Sequence, residues 1–253
     1  RSSDLPAHLR QAREALASGI DAGRARVVPA VEAEREAWEG RPTIVVGNEL
    51  LDAFPVHRVC VEKGGLREWG VAWDESDAKP VSCLLEPTDP RLAQWLEHQG
   101  VRLAESQTTE IGLDGADWTA WLAGRVGEAM LVVIDYGDST RELTGSHRMD
   151  GTLLCYERHQ AHADPFRHPG GQDMTAHVDF DLVRACAMEA GWNEVWYGTQ
   201  KRFLVESGIM SKLTEHGIRD PFHPVVRRNR AIRQLLLSDG MSELFKVQIW
   251  AKE

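Results

Sequence analysis

Apolar residues along the chain follow two spacings. Ile44, Val45 and Val46 form a short unbroken run that ends in Gly47, and Ala129–Ile134 form a longer one that ends in Asp135, Tyr136 and Gly137. Unbroken runs of this length predict parallel strands covered on both faces. Phe245–Lys252 instead alternates apolar and polar, as a terminal strand does. Helical spacing is carried by Leu5, Leu9, Ala12, Leu16 and Ile20, by Trp118, Trp121, Leu122 and Val126, and by 178–191, 199–208 and parts of 213–239, with breaks at Pro221 and Pro224. Between 56 and 112 the period changes. A hairpin about Gly64-Gly65, a helix over 89–100 and an extended 101–111 predict an antiparallel-rich insertion. Residues 138–175 show no regular period, and a stretch that long predicts a lid or binding loop.

Together these elements predict an α/β fold with a mixed sheet. Its main domain comprises 1–55 and 113–253, and the region 56–112 is inserted on the substrate or interaction side. Strands 44–46 and 130–134 are expected as parallel neighbours, with 245–251 antiparallel between 130–134 and 195–199. The first helix begins almost at Arg1 with no strand before it, which reads as an N-terminally truncated α/β domain.

Composition narrows the partners. Of 253 residues, 42% are hydrophobic and 27% charged, which suits an ordinary globular protein. A net charge of -10 argues against nucleic acid, since the run Arg227, Arg228, Arg230 and Arg233 is only local. No apolar run has the length of a membrane span. Cys60, Cys83, Cys155 and Cys186 are far apart and read as buried thiols of a reducing compartment. A homodimer stays open.

Candidate chemistry gathers where the two parallel strands end, because ligands of open α/β sheets bind outside the carboxyl ends of the strands. After the first come Asn48, Glu49 and Asp52, then Phe54 and Pro55; after the second come Asp135, Tyr136 and Gly137. Glu49 and Asp52, three apart, can face one side and clamp a cation or accept a proton. The rival reading has Asn48 capping a helix whose positive end the two acids favour. His159 and His177 are the acid–base candidates of a histidine-rich stretch whose spacing matches no zinc signature, so no metal ligands are assigned. Asp173 and Thr175 stand before an apolar helix that either could cap, and Gln200 ends a strand beside Phe203, placed to hydrogen-bond across the top of the sheet. No nucleophile elbow, dinucleotide fingerprint or phosphate loop occurs.

Several long stretches carry a family likeness: Val46-Gly-Asn-Glu-Leu-Leu-Asp-Ala-Phe-Pro-Val56, Leu131-Val-Val-Ile-Asp-Tyr-Gly137, Pro169-Gly-Gly-Gln-Asp-Met-Thr-Ala-His-Val-Asp-Phe180, Thr199-Gln-Lys-Arg-Phe-Leu204 with Gly208-Ile209, and Phe245-Lys-Val247. Arg67-Glu68 with Val71, and Gly151-Thr152, add weaker matches. In this order the chain resembles the MidA-type family of S-adenosylmethionine-dependent methyltransferases, which includes the mitochondrial complex I assembly-factor arginine methyltransferase. The resemblance implies a Rossmann-like methyltransferase fold and S-adenosyl-L-methionine as cofactor. It also implies a protein acceptor such as arginine, in a bacterial cytoplasm or a mitochondrion. Asn48, Phe54 and Pro55 would then lie on the cofactor side, Glu49, Asp52, His159 and His177 at the reaction, and Asp135, Tyr136, Gly137, Asp173, Thr175 and Gln200 about the acceptor. The family's glycine-rich cofactor loop and the acid after its second strand have no counterpart in this sequence, so cofactor binding is expected to need residues upstream of Arg1. Two alternatives come from other classes: a noncatalytic assembly protein on the same fold, and a metal-dependent hydrolase built on the histidine-rich stretch.

Overall fold

The computed structural model describes residues 6–36, 38, 40–158, 160–237 and 241–253. Its strands are β1 (Thr43–Asn48), β2 (His57–Glu62), β3 (Gly65–Asp74), β4 (Lys79–Leu85), β5 (Thr108–Ile111), β6 (Ala129–Asp138), β7 (Leu154–Glu157), β8 (Gln160–His162), β9 (Asp173–Thr175), β10 (Val178–Asp179), β11 (Asn193–Thr199) and β12 (Phe245–Lys252). The helices are α1 (Pro6–Ala15), α2 (Ala17–Asp21), α3 (Ala30–Ala33), α4 (Arg91–His98), α5 (Leu113–Ala123), α6 (Thr140–Leu143), α7 (Phe180–Glu189), α8 (Gln200–Glu206), α9 (Pro224–Leu237) and α10 (Met241–Leu244).

The two apolar runs pair as expected. β1 lies parallel to β6, from Thr43↔Ala129 to Asn48↔Ile134, and β12 runs antiparallel between β6 and β11 in the order β1-β6-β12-β11. β10 adds two parallel pairs at the end of β6, Val178↔Gly137 and Asp179↔Asp138. There the backbones touch: a Cβ on Gly137 would lie 2.0 Å from the Val178 carbonyl oxygen, so only glycine fits.

α5 and α7 cover one face of this sheet. Leu131, Val133 and Trp250 pack there with Leu122, Val126, Phe180, Val183, Ala187 and Trp192. The opposite face is less covered than the apolar runs imply. Val45 packs on the core, but Ile44 is 72% and Val46 61% exposed. An unbroken apolar run is a mark of a strand covered on both faces, yet α5 and α7 shield only one face of β1.

The stretch 57–111 forms a four-stranded antiparallel sheet, β4-β3-β2-β5. Its hairpin turns on Lys63 and Gly64, both at positive φ, with the Glu105 carboxylate accepting both of their N–H groups at 2.6 and 3.2 Å. Val59, Ile111, Leu92, Trp95 and Leu96 make a second core there, completed by Leu113 and Ala116 of α5 and Leu182 of α7. The stretch 138–175 is more regular than a loop. It holds α6 and a three-stranded sheet, β8-β7-β9, whose strands of three or four residues are too short to show a period.

Candidate active site

β1 and β6 end side by side, and the chain leaving β1 turns sharply. Glu49, still bonded through its N–H to the Ile134 carbonyl at 2.9 Å, takes φ +48, a conformation that costs energy for a residue with a side chain. A single 3-10 turn follows, Leu51–Ala53. Its exposed N–H groups find their acceptor in the neighbouring strand. Asp135 Oδ2 accepts from Leu50, Leu51 and Asp52 at 3.0, 2.8 and 3.3 Å, and its Oδ1 accepts from Tyr136 N–H at 3.0 Å. Asp135, fully buried, is thus an N-terminal cap supplied from another strand.

This cap sets the Asp52 side chain. Asp52 is buried; the Tyr136 hydroxyl donates to its Oδ2, while Oδ1, also buried, has no hydrogen-bond partner. The Asp52 carbonyl accepts from Ala176 N–H at 3.0 Å, which draws the segment after β9 across the turn. His177 follows, edge-on to the Tyr136 ring with centroids 5.6 Å apart, and Phe245 closes the other side of that ring at 5.5 Å. The His177 N–H donates to the Thr152 hydroxyl at 3.0 Å, and its Nδ1 is buried without a partner.

Burial governs the electrostatics. It pushes the Asp52 carboxyl up, helped by the nearby Glu49 charge and opposed by the Tyr136 hydrogen bond. Burial and then the Asp52 charge push Asp135 up to about 7, against the pull of its backbone donors. Burial also raises the Tyr136 phenol, which stays a neutral donor. His177 is lowered to about 4 by burial and then by the Arg148 and Lys246 charges, with Asp138 opposing, so its imidazole is neutral at pH 7.

The structure thus brings Asp52, Tyr136, Thr175 and His177 together, with Thr175 near enough to the Tyr136 phenol to oppose the effect of burial. It separates Glu49 from Asp52 in environment. Glu49 is exposed, bonded by Asn48 Nδ2 at 3.3 Å, because the positive φ turns the chain between the two acids. The expected convergence of two carboxylates on one side gives way to one open and one enclosed. The capping alternative also changes: Asn48 caps nothing, and Asp135 does. Asp135 and Gly137 hold backbone, Asp135 by its four N–H bonds and Gly137 by its close approach to Val178. Phe54 packs on Trp118, with ring centroids 6.2 Å apart, while Pro55 is exposed. Asp173 is exposed on β9, and Gln200 opens α8 after the Thr199 cap, where Thr199 pairs with Lys246 at the same sheet edge. His159 lies outside the described residues. Thr152 and Arg148 also lie against His177; the dipeptide Gly151-Thr152 is the one sequence signal of the first, and the second has none.

Among the described residues no group of three or more His, Cys, Asp or Glu is placed to hold a metal ion. An enclosed carboxylate, a neutral phenol and a neutral imidazole at a strand edge can receive a cationic group, orient it and take a proton.

A family model described as "Putative S-adenosyl-L-methionine-dependent methyltransferase" matches residues 7–198. Over 98% of its length the chain superposes on a Burkholderia thailandensis protein bound to S-adenosyl-homocysteine, with TM-score 0.82, 34% identity and 61% of that chain covered. A native crystal structure from the same organism matches at TM-score 0.84 and 33% identity, with 99% of this chain and 64% of that one covered. The Drosophila melanogaster "Protein arginine methyltransferase NDUFAF7 homolog, mitochondrial" is 28% identical over 165 residues, 59% of this chain and 33% of that protein. The Danio rerio protein of that name is 26% identical over 185 residues, 68% of this chain and 38% of that protein. The chain therefore spans little more than a third of the curated relatives it matches.

Proposed function

Because the chain belongs to this S-adenosyl-L-methionine-dependent methyltransferase family, we propose that it takes part in methyl transfer to a protein side chain, an arginine guanidinium by preference, at the joint carboxyl end of β1 and β6. The observation that carries the reading is Asp52: one carboxylate oxygen is held by Tyr136 and the other is buried without a partner. An unpaired buried oxygen is costly unless a ligand donates to it.

The donor set fits the cofactor. A sulfonium is cationic, and the edge it would occupy carries Asn48 and Glu49 in the open beside the enclosed Asp52. When bound, S-adenosyl-L-methionine supplies an electrophilic methyl carbon. The work of the chain is alignment and proton handling. Asp52 Oδ1 accepts an N–H of the guanidinium and directs its free nitrogen lone pair, Tyr136 holds Asp52 in that rotamer, and neutral His177 receives the proton released. The arginine acceptor is supported by the names of the curated relatives. The reducing compartment proposed for it, a bacterial cytoplasm or mitochondrial matrix, is supported by four free cysteines.

The test is single-turnover methyl transfer on the whole protein at saturating cofactor, with thermal melts of each variant. Asp52→Asn is expected to slow transfer about 10- to 200-fold, the equivalent of roughly 1.5–3 kcal/mol for a hydrogen bond to a charged group, with cofactor affinity little changed. Exposed Glu49→Gln should cost less. Normal turnover in a folded Asp52→Asn variant refutes the reading.

A further inference from the structure

We propose that Glu110 is a positioning residue for this site: through Thr152 its carboxylate ties the antiparallel sheet to the backbone of His177 and holds the imidazole against Tyr136. The proposal rests on the reading of Asp52, Tyr136 and His177 as the reacting side.

Glu110 sits on β5 with its side chain 2% exposed. A carboxylate so enclosed needs its lone pairs filled. Oε1 accepts from Arg58 Nε of β2 at 3.0 Å, and Oε2 accepts from both the N–H and the hydroxyl of Thr152, at 2.6 and 2.9 Å. Arg58 also donates through its other guanidinium nitrogen to the Asp150 carbonyl at 3.0 Å, and Thr108 N–H donates to the Met149 carbonyl at 2.8 Å. Met149, Asp150 and Thr152 are therefore each bonded to β5 or β2. Gly151, at φ +76, makes the approach possible, since a Cβ there would lie 2.3 Å from Glu110 Oε1.

The Thr152 hydroxyl gives the network its direction. It has one hydrogen, and that hydrogen goes to Glu110, so a lone pair is left facing the His177 N–H at 3.0 Å. The neighbours of His177 are anchored as well, Ala176 by the Asp52 carbonyl and Val178 against Gly137. Glutamine cannot replace Glu110. An amide has one acceptor for two sets of donors, so its NH2 must meet either the Arg58 guanidinium or the Thr152 N–H. The hydroxyl that Glu110 holds at Thr152 is the same one that accepts the His177 N–H, so the carboxylate acts beyond its own sheet.

The test follows His177 directly, by NMR of labelled histidine in the whole protein, beside single-turnover methyl transfer. The groups facing the imidazole are Tyr136, Arg148, Asp138 and Lys246, and none is altered. Thr152→Val removes the hydroxyl but keeps its N–H bond to Glu110, so it carries the test even if Glu110→Gln fails to fold. In both variants the His177 resonance is expected to shift and its titration to rise from about 4 toward the ordinary histidine range. Transfer should fall roughly tenfold in rate at unchanged acceptor KM, as the loss of one oriented hydrogen bond allows. Thr152→Ser, which keeps the hydroxyl, should restore both. A folded Thr152→Val protein with an unchanged His177 resonance and titration overturns the proposal. A displaced His177 with undiminished transfer upholds the positioning and instead overturns the role given to His177 in the reaction.

Discussion

Asp135→Asn isolates the interaction on which the candidate site hangs. The wild-type carboxylate takes three backbone N–H groups on Oδ2 and one on Oδ1. In the variant the amide oxygen can still face Leu50, Leu51 and Asp52, but the NH2 then meets the Tyr136 N–H, donor against donor. An orphaned buried donor costs about 1–3 kcal/mol, and no charge is lost where Asp135 holds its proton. For a chain of this length each kcal/mol lowers Tm by about 2–4 °C, so a drop of roughly 2–12 °C is expected in thermal unfolding near pH 4. The penalty should depend on pH with a definite sign. The folded value of Asp135 is raised from 3.8 to about 7, so the folded chain keeps a proton that the unfolded chain gives up. The contribution of Asp135 is complete below pH about 4 and is lost as the pH rises to about 7. Asparagine does not titrate, so the difference between the two proteins, measured by urea unfolding at stepped pH, should shrink over that window. A difference below about 0.5 kcal/mol near pH 4, or one that grows with pH, refutes the reasoning.

Three further substitutions test other contacts of the fold and site. Because the folded value of His177 is lowered from 6.5 to about 4, its contribution to stability is full above pH 6.5 and is lost as the pH falls toward 4; His177→Phe should flatten that acid loss in urea unfolding, and an unchanged pH profile would count against a buried neutral imidazole. Gly137→Ala drives a Cβ into the Val178 backbone and should cost about 3 kcal/mol or more, whereas Gly124→Ala, whose Cβ would meet the Trp121 carbonyl at an ordinary 3.5 Å, should stay within about 0.5 kcal/mol by thermal unfolding. Asp179→Ala removes the side-chain cap of α7 and also strands the Trp95 indole N–H and the Thr140 hydroxyl, so a loss of about 2–4 kcal/mol is expected, against about 1 kcal/mol if only the cap counts.

What the amino-acid sequence by itself determined was the frame. Ala129–Ile134 is apolar at every position and Phe245–Lys252 alternates, so both were legible as strands of one mixed sheet, while the insertion of β12 between β6 and β11 is a matter of tertiary pairing. The strand edge where Asn48, Asp52 and Tyr136 gather was legible for the same reason, since a strand delivers whatever follows it to its own carboxyl end. What each of these residues does was decided by tertiary structure. Asp135 caps a turn 83 to 85 residues away, and Glu110 reaches Thr152 across 42, pairings that no local spacing encodes. The parting of Glu49 from Asp52 depends on one backbone dihedral, and the short strands β7, β8 and β9 exist only because they pair with one another. Periodicity reports which way a side chain faces relative to its own element; whether a carboxylate there meets water, a backbone N–H or a ligand depends on what the rest of the chain brings against it.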